Sequence, residues 1–264
     1  MVLSSEEARS HGVKSLCLVD KCWNGIANAT SDLWTKVTLA YPLRANQLSA
    51  SQKWLKASEP KVIDVEIDIC YPGFFEWIPS ADMLQGMIAI LSGSEHRWRS
   101  ISVKSDTSGP IREFLRSWVT PSLPALESIS FERLRESHVL PTVQPVIEWP
   151  ALFGGNGTLI PKLREVTLCT LPMDWASAAA NPFQNLRKLV ISHYYRETSL
   201  TLGQFSAVLA ASPRLETLDV GAHYPIPSDS PTQAQIPFVH LPALKHLVFG
   251  WIHVDRACNF LKML

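Results

Sequence analysis

The residues able to do chemistry are present but not arranged for it. Eight histidines stand at 11, 96, 138, 193, 223, 240, 246 and 253. No two are four apart, so no helix face presents the imidazole pair of a zinc hydrolase. Cys17, Cys22, Cys70, Cys169 and Cys258 are odd in number and dispersed. Cys17-x4-Cys22 is a poor zinc spacing without a second pair nearby, and such cysteine usage fits a reducing, intracellular compartment. Gly154-Gly-Asn-Gly157 lacks the Lys-Ser/Thr of a phosphate loop and reads as a surface turn. G-x-S-x-G and H-E-x-x-H are absent, and carboxylates are spread singly apart from Glu6-Glu7. The expectation is a protein that is not an enzyme and uses no cofactor or metal.

Aromatic residues suggest recognition instead. His193-Tyr194-Tyr195, His223-Tyr224 and Trp251-Ile252-His253 each follow an apolar, strand-like run. Exposed Tyr and Trp clusters are typical of protein-binding hot spots. Tyr194, Tyr195, His223, Tyr224 and Trp251 are therefore candidate protein-binding residues. The other reading packs them together as a satellite core under residues 224–237.

Composition narrows the partner. The 264 residues hold 24 Lys+Arg against 24 Asp+Glu, a formal net charge of zero. That balance argues against a phosphate-backbone groove and nucleic acid. Hydrophobic residues make up 46%, too many for a disordered chain. No stretch reaches the length of a membrane span, and the N-terminus has acids where a signal peptide has basic residues. The expected location is cytoplasmic and/or nuclear.

Positioning the aromatics requires a scaffold, and the scaffold is a repeat. An apolar-x-x-apolar-x-apolar pattern begins at Trp34, Val62, Trp98, Leu126, Leu163, Leu186, Leu215 and Leu244. The last two apolar anchors of each copy alternate with a variable residue, which is strand periodicity. Pro124, Pro161, Pro213 and Pro242 each lie two residues before a first anchor. There a proline fixes the backbone leading into the strand without costing a ladder bond. A single unit cannot bury its apolar side, so the units must stack. The pattern resembles leucine-rich repeats, with units somewhat long and uneven. The expected fold is α/β: a leucine-rich-repeat-like solenoid with a curved parallel sheet and helical or irregular returns. The competing reading is a doubly wound sheet, which would show continuous apolar strands and glycine-rich turns.

Helical returns are expected at 49–58, 78–94, 111–119, 202–211 and from 255 onward. Residues 136–160, with Pro141, Pro145 and Pro150, should be irregular. Residues 224–237 hold four prolines and should form an inserted loop. The concave wall would present Ser102, Ser130, Thr167, Val190, Asp219 and Val248, a mixed and nearly neutral row.

At the N-terminus, Leu16, Val19, Trp23 and Ile26 fall on one helical face. Thr30-Ser31 breaks the helix, and Leu33-Trp34 leads into the first strand. Trp23 and Trp34 are expected to lock this helix onto that strand. Leu16-Val19-Trp23 and Leu33-Trp34 resemble the C-terminal half of an F-box. With the irregular repeats, the chain resembles the F-box-like proteins of mushroom-forming fungi. The resemblance implies an F-box remnant over 1–33 and the solenoid over 34–264. It also implies a substrate-recognition subunit of a Skp-cullin-F-box ubiquitin ligase. Lys21 and Asn24 would face a Skp-type adaptor, and the solenoid would hold a protein substrate. Met1 to Gly12 departs from the family pattern, lacking the Leu-Pro-x-Glu-Ile-type first helix. The alternative is a stand-alone repeat scaffold. Both ends are expected to fall short of a complete architecture, residues 255–264 stopping inside a repeat.

Overall fold

The structure, a computed structural model, describes residues 20–42, 45–70, 81–117, 122–134, 160–171, 183–192, 202–221, 238–250, 258, 261, 262 and 264. The stretch 136–159 expected to be irregular, the expected loop 224–237 and most of the return expected from 255 onward lie outside them.

The alternating copies form strands where expected. They are β1 (Lys36–Ala40), β2 (Ile63–Ile69), β3 (Trp98–Ser105), β4 (Ser128–Arg133), β5 (Glu165–Cys169), β6 (Lys188–Ser192), β7 (Thr217–Val220) and β8 (His246–Phe249). All pair in parallel in one open sheet, in the order β1-β2-β3-β4-β5-β6-β7-β8. Each unit therefore adds one strand beside the last. A doubly wound sheet reverses direction at a switch point; this strand order has no reversal.

Register repeats with the sequence. Val37, Val65, Ile101, Ile129, Val166, Leu189, Leu218 and Leu247 form one continuous row across the sheet. From β1 to β7 this row is buried. Leu39, Ile67, Val103, Phe131, Leu168, Ile191, Val220 and Phe249 form the row beside it. A one-residue slip anywhere would turn a whole strand's apolar set outward. Each fully buried anchor contributes about 1.5–3 kcal/mol.

Four prolines have a more exact role than the sequence implies. Leu126, Leu163, Leu215 and Leu244 donate their N–H to the carbonyls of Leu123, Ile160, Ser212 and Leu241 at 3.0–3.3 Å. Pro124, Pro161, Pro213 and Pro242 thus occupy the second position of a β-turn, where a fixed φ is pre-organised. The same corner opens four strands. The Leu186 unit has no proline two residues before its anchor and is held by its neighbour. Ser212, fully buried, donates Oγ–H to Phe183 O at 2.8 Å and accepts from Leu186 N at 3.2 Å.

The described helices are α1 (Lys21–Ala29), α2 (Ala45–Ala57), α3 (Ala81–Leu91), α4 (Ser108–Ser117) and α5 (Leu202–Ala210). The last four are the expected returns, with ends shifted by a few residues. Leu84, Met87, Leu91, Ile111, Phe114, Leu115, Phe205, Val208 and Leu209 share one core with the strand anchors. Buried Arg97 ties two units together. It donates to Leu55 O at 3.0 Å, and to Lys61 O and Ser58 Oγ at 3.1 Å each.

The N-terminal helix differs from expectation. Asp20 is extended (φ −160°, ψ 156°), and its Oδ1 accepts from Cys22 N at 3.2 Å. It is an N-cap, so α1 starts at Lys21 and no continuous helical face runs from Leu16 to Ile26. Trp34 does pin the helix: buried, it donates Nε1–H to Ala27 O at 2.7 Å. Trp23 does not, being 48% exposed. Ala27 is the buried residue of α1, held against the turn that carries Trp34, and the indole of Trp23 lies outside that contact.

Candidate protein-binding surface

The variable strand positions line the sheet face opposite the anchors. Ser102, Ser130, Thr167, Val190 and Asp219 are half-buried there, and Val248 is exposed. Together with Glu66 they form one register row. Polar and short side chains dominate it.

Beside that row, β2 carries a feature the sequence reading passed over. Asp64, Glu66 and Asp68 alternate with buried Val65 and Ile67, so all three carboxylates face the same side. Cations from both neighbouring strands answer them. Lys36 Nζ lies 3.1 Å and Lys104 Nζ 3.9 Å from Glu66. Arg99 grips Asp64 with both Nε, at 3.0 Å, and Nη2. Ser100 Oγ donates to Asp64 at 2.7 Å. Burial alone would raise the Asp64 pKa, but hydrogen bonds from Arg99 and Ser100, with the charges of Arg99 and Lys36, bring it below the usual aspartate value. Asp68 caps its own strand end, accepting from Cys70 N at 2.9 Å. The signal was the alternation of acids through Ile63–Ile69, read as anchors rather than as a face.

The exit side of the face holds Glu132, Cys169 and Ser192 in register. Burial, with Glu132 and Asp219 nearby, pushes the Cys169 thiol up against a hydrogen bond with Ser192. A thiol so placed stays protonated and is a poor nucleophile. Among the described residues no group of three His, Cys, Asp or Glu side chains is placed to hold a metal ion.

Tyr194, Tyr195, His223, Tyr224 and Trp251 lie outside the described residues. The strand ends that carry them are described. Gly221 N donates to Ile191 O at 2.9 Å, and Gly250 N donates to Val220 O at 2.8 Å. The chain thus leaves β6, β7 and β8 at neighbouring points. Gly221 allows the closest approach, since a Cβ there would meet Ser192 Cβ at 2.6 Å. Lys21 and Asn24 are both exposed on α1, and Asn24 Oδ1 accepts from Asn28 Nδ2.

Exposed apolar residues gather at the same helix. Trp23 (48%) and Ile26 (51%) are one turn apart on α1, and Leu33 follows in the next turn of chain. Comparison adds nothing to these observations. No protein-family model, curated protein or solved structure matches the chain. The surface is read from its own residues.

Proposed function

We propose that the chain is a protein-binding repeat module acting as the substrate-recognition subunit of a Skp-cullin-F-box ubiquitin ligase. In this reading α1 and the turn after it are an F-box remnant, and the strands form a leucine-rich-repeat-like solenoid. The observation that carries it is the exposure of Trp23 and Ile26 on a helix that Trp34 pins at Ala27. Large apolar side chains held open beside polar Lys21 and Asn24 suit a protein contact. The half-buried polar face of the sheet suits a polypeptide substrate better than a polyanion. The protein then performs no bond chemistry; it holds a substrate near a ubiquitin-charged enzyme. A cytoplasmic or nuclear site of action belongs to the same reading. Among the described residues no helix is long and apolar enough to cross a membrane.

The second reading is a stand-alone scaffold, favoured by the sequence Met1 to Gly12, which has no Leu-Pro-x-Glu-Ile-type motif. A pull-down of the full chain with a purified Skp-type adaptor separates the two. Binding that is lost in Trp23→Ala/Ile26→Ala supports the ligase reading. Failure to bind, with and without a Leu-Pro-type helix fused upstream, leaves the scaffold.

A further inference from the structure

The formal net charge of zero conceals an uneven distribution along the turns that open the strands. The residue after the first anchor is Arg99, Glu127, Arg164, Arg187, Glu216 and Lys245 in the successive units of β3 to β8. These residues stand side by side, because each strand entry is bonded to the one before. Arg164 N donates to Glu127 O at 2.8 Å, Arg187 N to Arg164 O at 2.7 Å and Glu216 N to Arg187 O at 2.8 Å. Neighbours in the row are opposite in sign at every step but one. At that step Arg164 and Arg187 are adjacent cations, their backbones one strand spacing, about 4.8 Å, apart.

Three more cations gather at this break. Lys162 and Arg214 hold the third position of the proline corners 160–163 and 212–215, in the units on either side of β6. Lys188 opens β6 itself. Lys162, Arg187, Lys188 and Arg214 are exposed; Arg164 is half-buried, its Nη1 donating to Leu163 O at 2.9 Å. Among the described residues none of the five forms a salt bridge. Three acids lie near them. Glu127 acts on Arg99, and Glu216 Oε2 accepts from Lys245 Nζ at 2.6 Å while Arg187 acts on it without a direct bond. Glu165 is exposed and in register with Lys188. Five cations thus face one acid of their own, and the two flanking acids serve cations further out.

Like charges directly opposite one another on neighbouring strands are destabilising. The fold does not impose them here, since the same position holds Glu in the units of β4 and β7. An external carboxylate relieves the repulsion, and guanidinium groups hold carboxylates by paired N–H bonds. The row also sets the length of what binds. Glu127 and Glu216 bound the break on its two sides, three strand spacings or about 14 Å apart. A phosphate backbone running along the rim would meet both acids, which argues against nucleic acid. An extended acidic stretch of three or four residues, at about 3.3 Å each, fits between them.

We propose that the entry rim of β5 and β6 docks a short acidic segment of a partner protein, its carboxylates held by Arg164 and Arg187. Lys162, Lys188 and Arg214 supply the surrounding positive field, and Glu127 and Glu216 reject longer runs of negative charge. The segment that fits carries acids on successive residues and has uncharged flanks. The inference rests on the protein-binding reading in requiring a protein partner; it involves neither the adaptor nor α1.

The test uses the full chain and a labelled peptide, Gly-Ser-Gly-Asp-Glu-Asp-Gly-Ser-Gly. Fluorescence anisotropy should show saturable binding that weakens with salt, and the amide resonances of Arg164, Glu165, Arg187 and Lys188 should shift. Arg164→Gln/Arg187→Gln should bind about ten-fold more weakly. Arg164→Lys/Arg187→Lys, which keeps the charge and loses the paired N–H bonds, should fall between that variant and the parent. Lys53→Gln/Lys56→Gln removes the same net charge from exposed positions of α2 and should bind as the parent does. Thermal unfolding confirms that each variant is folded. Absence of binding up to the solubility limit overturns the proposal, as does equal weakening in the α2 variant or shifts confined to other amides. Tighter binding of oligothymidylate at the same amides assigns the rim to nucleic acid and also overturns it. The adaptor pull-down reads α1, so the two readings fail separately.

Discussion

At the first strand, Val37 and Leu39 are fully shielded although no described strand lies beyond them. At the last, the equivalent Leu247 and Phe249 are only partly buried. Both strands carry the same anchors at the same register. What separates them is the cover. Trp34 is buried ahead of β1 and meets Trp54 of α2 at 5.8 Å between ring centroids. Leu55 of α2 adds to the core behind the strand. A repeat therefore has no fixed burial of its own; the neighbour completes it. At the same end Ala27 is the buried residue of α1, and Trp23 and Ile26 are exposed. One end carries an exposed helix, the other a partly exposed last described strand.

Core substitutions probe this contrast most strongly. Phe131→Ala at the fully buried centre of β4 should cost about 3–5 kcal/mol, and Leu39→Ala at the sealed edge about 2–5 kcal/mol. Leu247→Ala should cost clearly less than Leu39→Ala, about 1–2 kcal/mol, because its surroundings are already partly hydrated. Urea unfolding midpoints measure all three, and equal losses at 39 and 247 would break the comparison. Gly221→Ala forces the new Cβ against Ser192. It should cost about 1–3 kcal/mol and shift the exits of β6 and β7. Thermal unfolding measures the first effect, and chemical-shift changes at Ser192 the second. Ser212→Ala removes a buried side-chain stitch at the start of the Leu186 unit, leaving Phe183 O and Leu186 N to find other partners. A loss of about 1–3 kcal/mol is expected in the same assay.

The smallest effect belongs to Asp64. Its folded pKa lies below the unfolded value, so the ionised carboxylate contributes stability that is fully present above the ordinary aspartate range. That contribution fades as pH falls through the lowered folded value. Because the pair with Arg99 is partly exposed, it amounts to about 0.2–1 kcal/mol. Asp64→Asn should remove this acid-side slope, which stability measured against pH would read. An unchanged slope would show that the grip of Arg99 is not felt in solution.

The strands were legible in the sequence because an in-register parallel stack repeats its anchors literally. All eight strands were placed, and the anchor rows run straight across the sheet. The proline corners were half legible: their position was visible, while the β-turn bond from residues such as Leu126 to Leu123 needed coordinates. The N-terminal helix was misread in two ways. Helical spacing linked Leu16 to Ile26 across Asp20, where a cap in fact begins the helix. Spacing also identifies an apolar face but not its partner: Trp34 is buried while Trp23 is 48% exposed. The acids of β2 were overlooked because attention to buried positions hides the alternate set. For the aromatic rim, the described structure supplies neighbouring strand ends and leaves Tyr194, Tyr195, His223, Tyr224 and Trp251 as expectations.

In the proposed function the two ends do different work: the helix end binds an adaptor while the sheet stays intact. Residue-resolved amide exchange on the full chain, alone and with a purified Skp-type adaptor, decides this. Alone, the Leu39 and Asp219 amides, which face β2 and β6, should exchange only through global unfolding, and the Val248 amide, which faces β7, through easier local opening. With adaptor, the amides of Lys21–Ala29 should slow while β8 is unchanged. Equal exchange at Leu39 and Val248, or no slowing in α1 on adding adaptor, would contradict it.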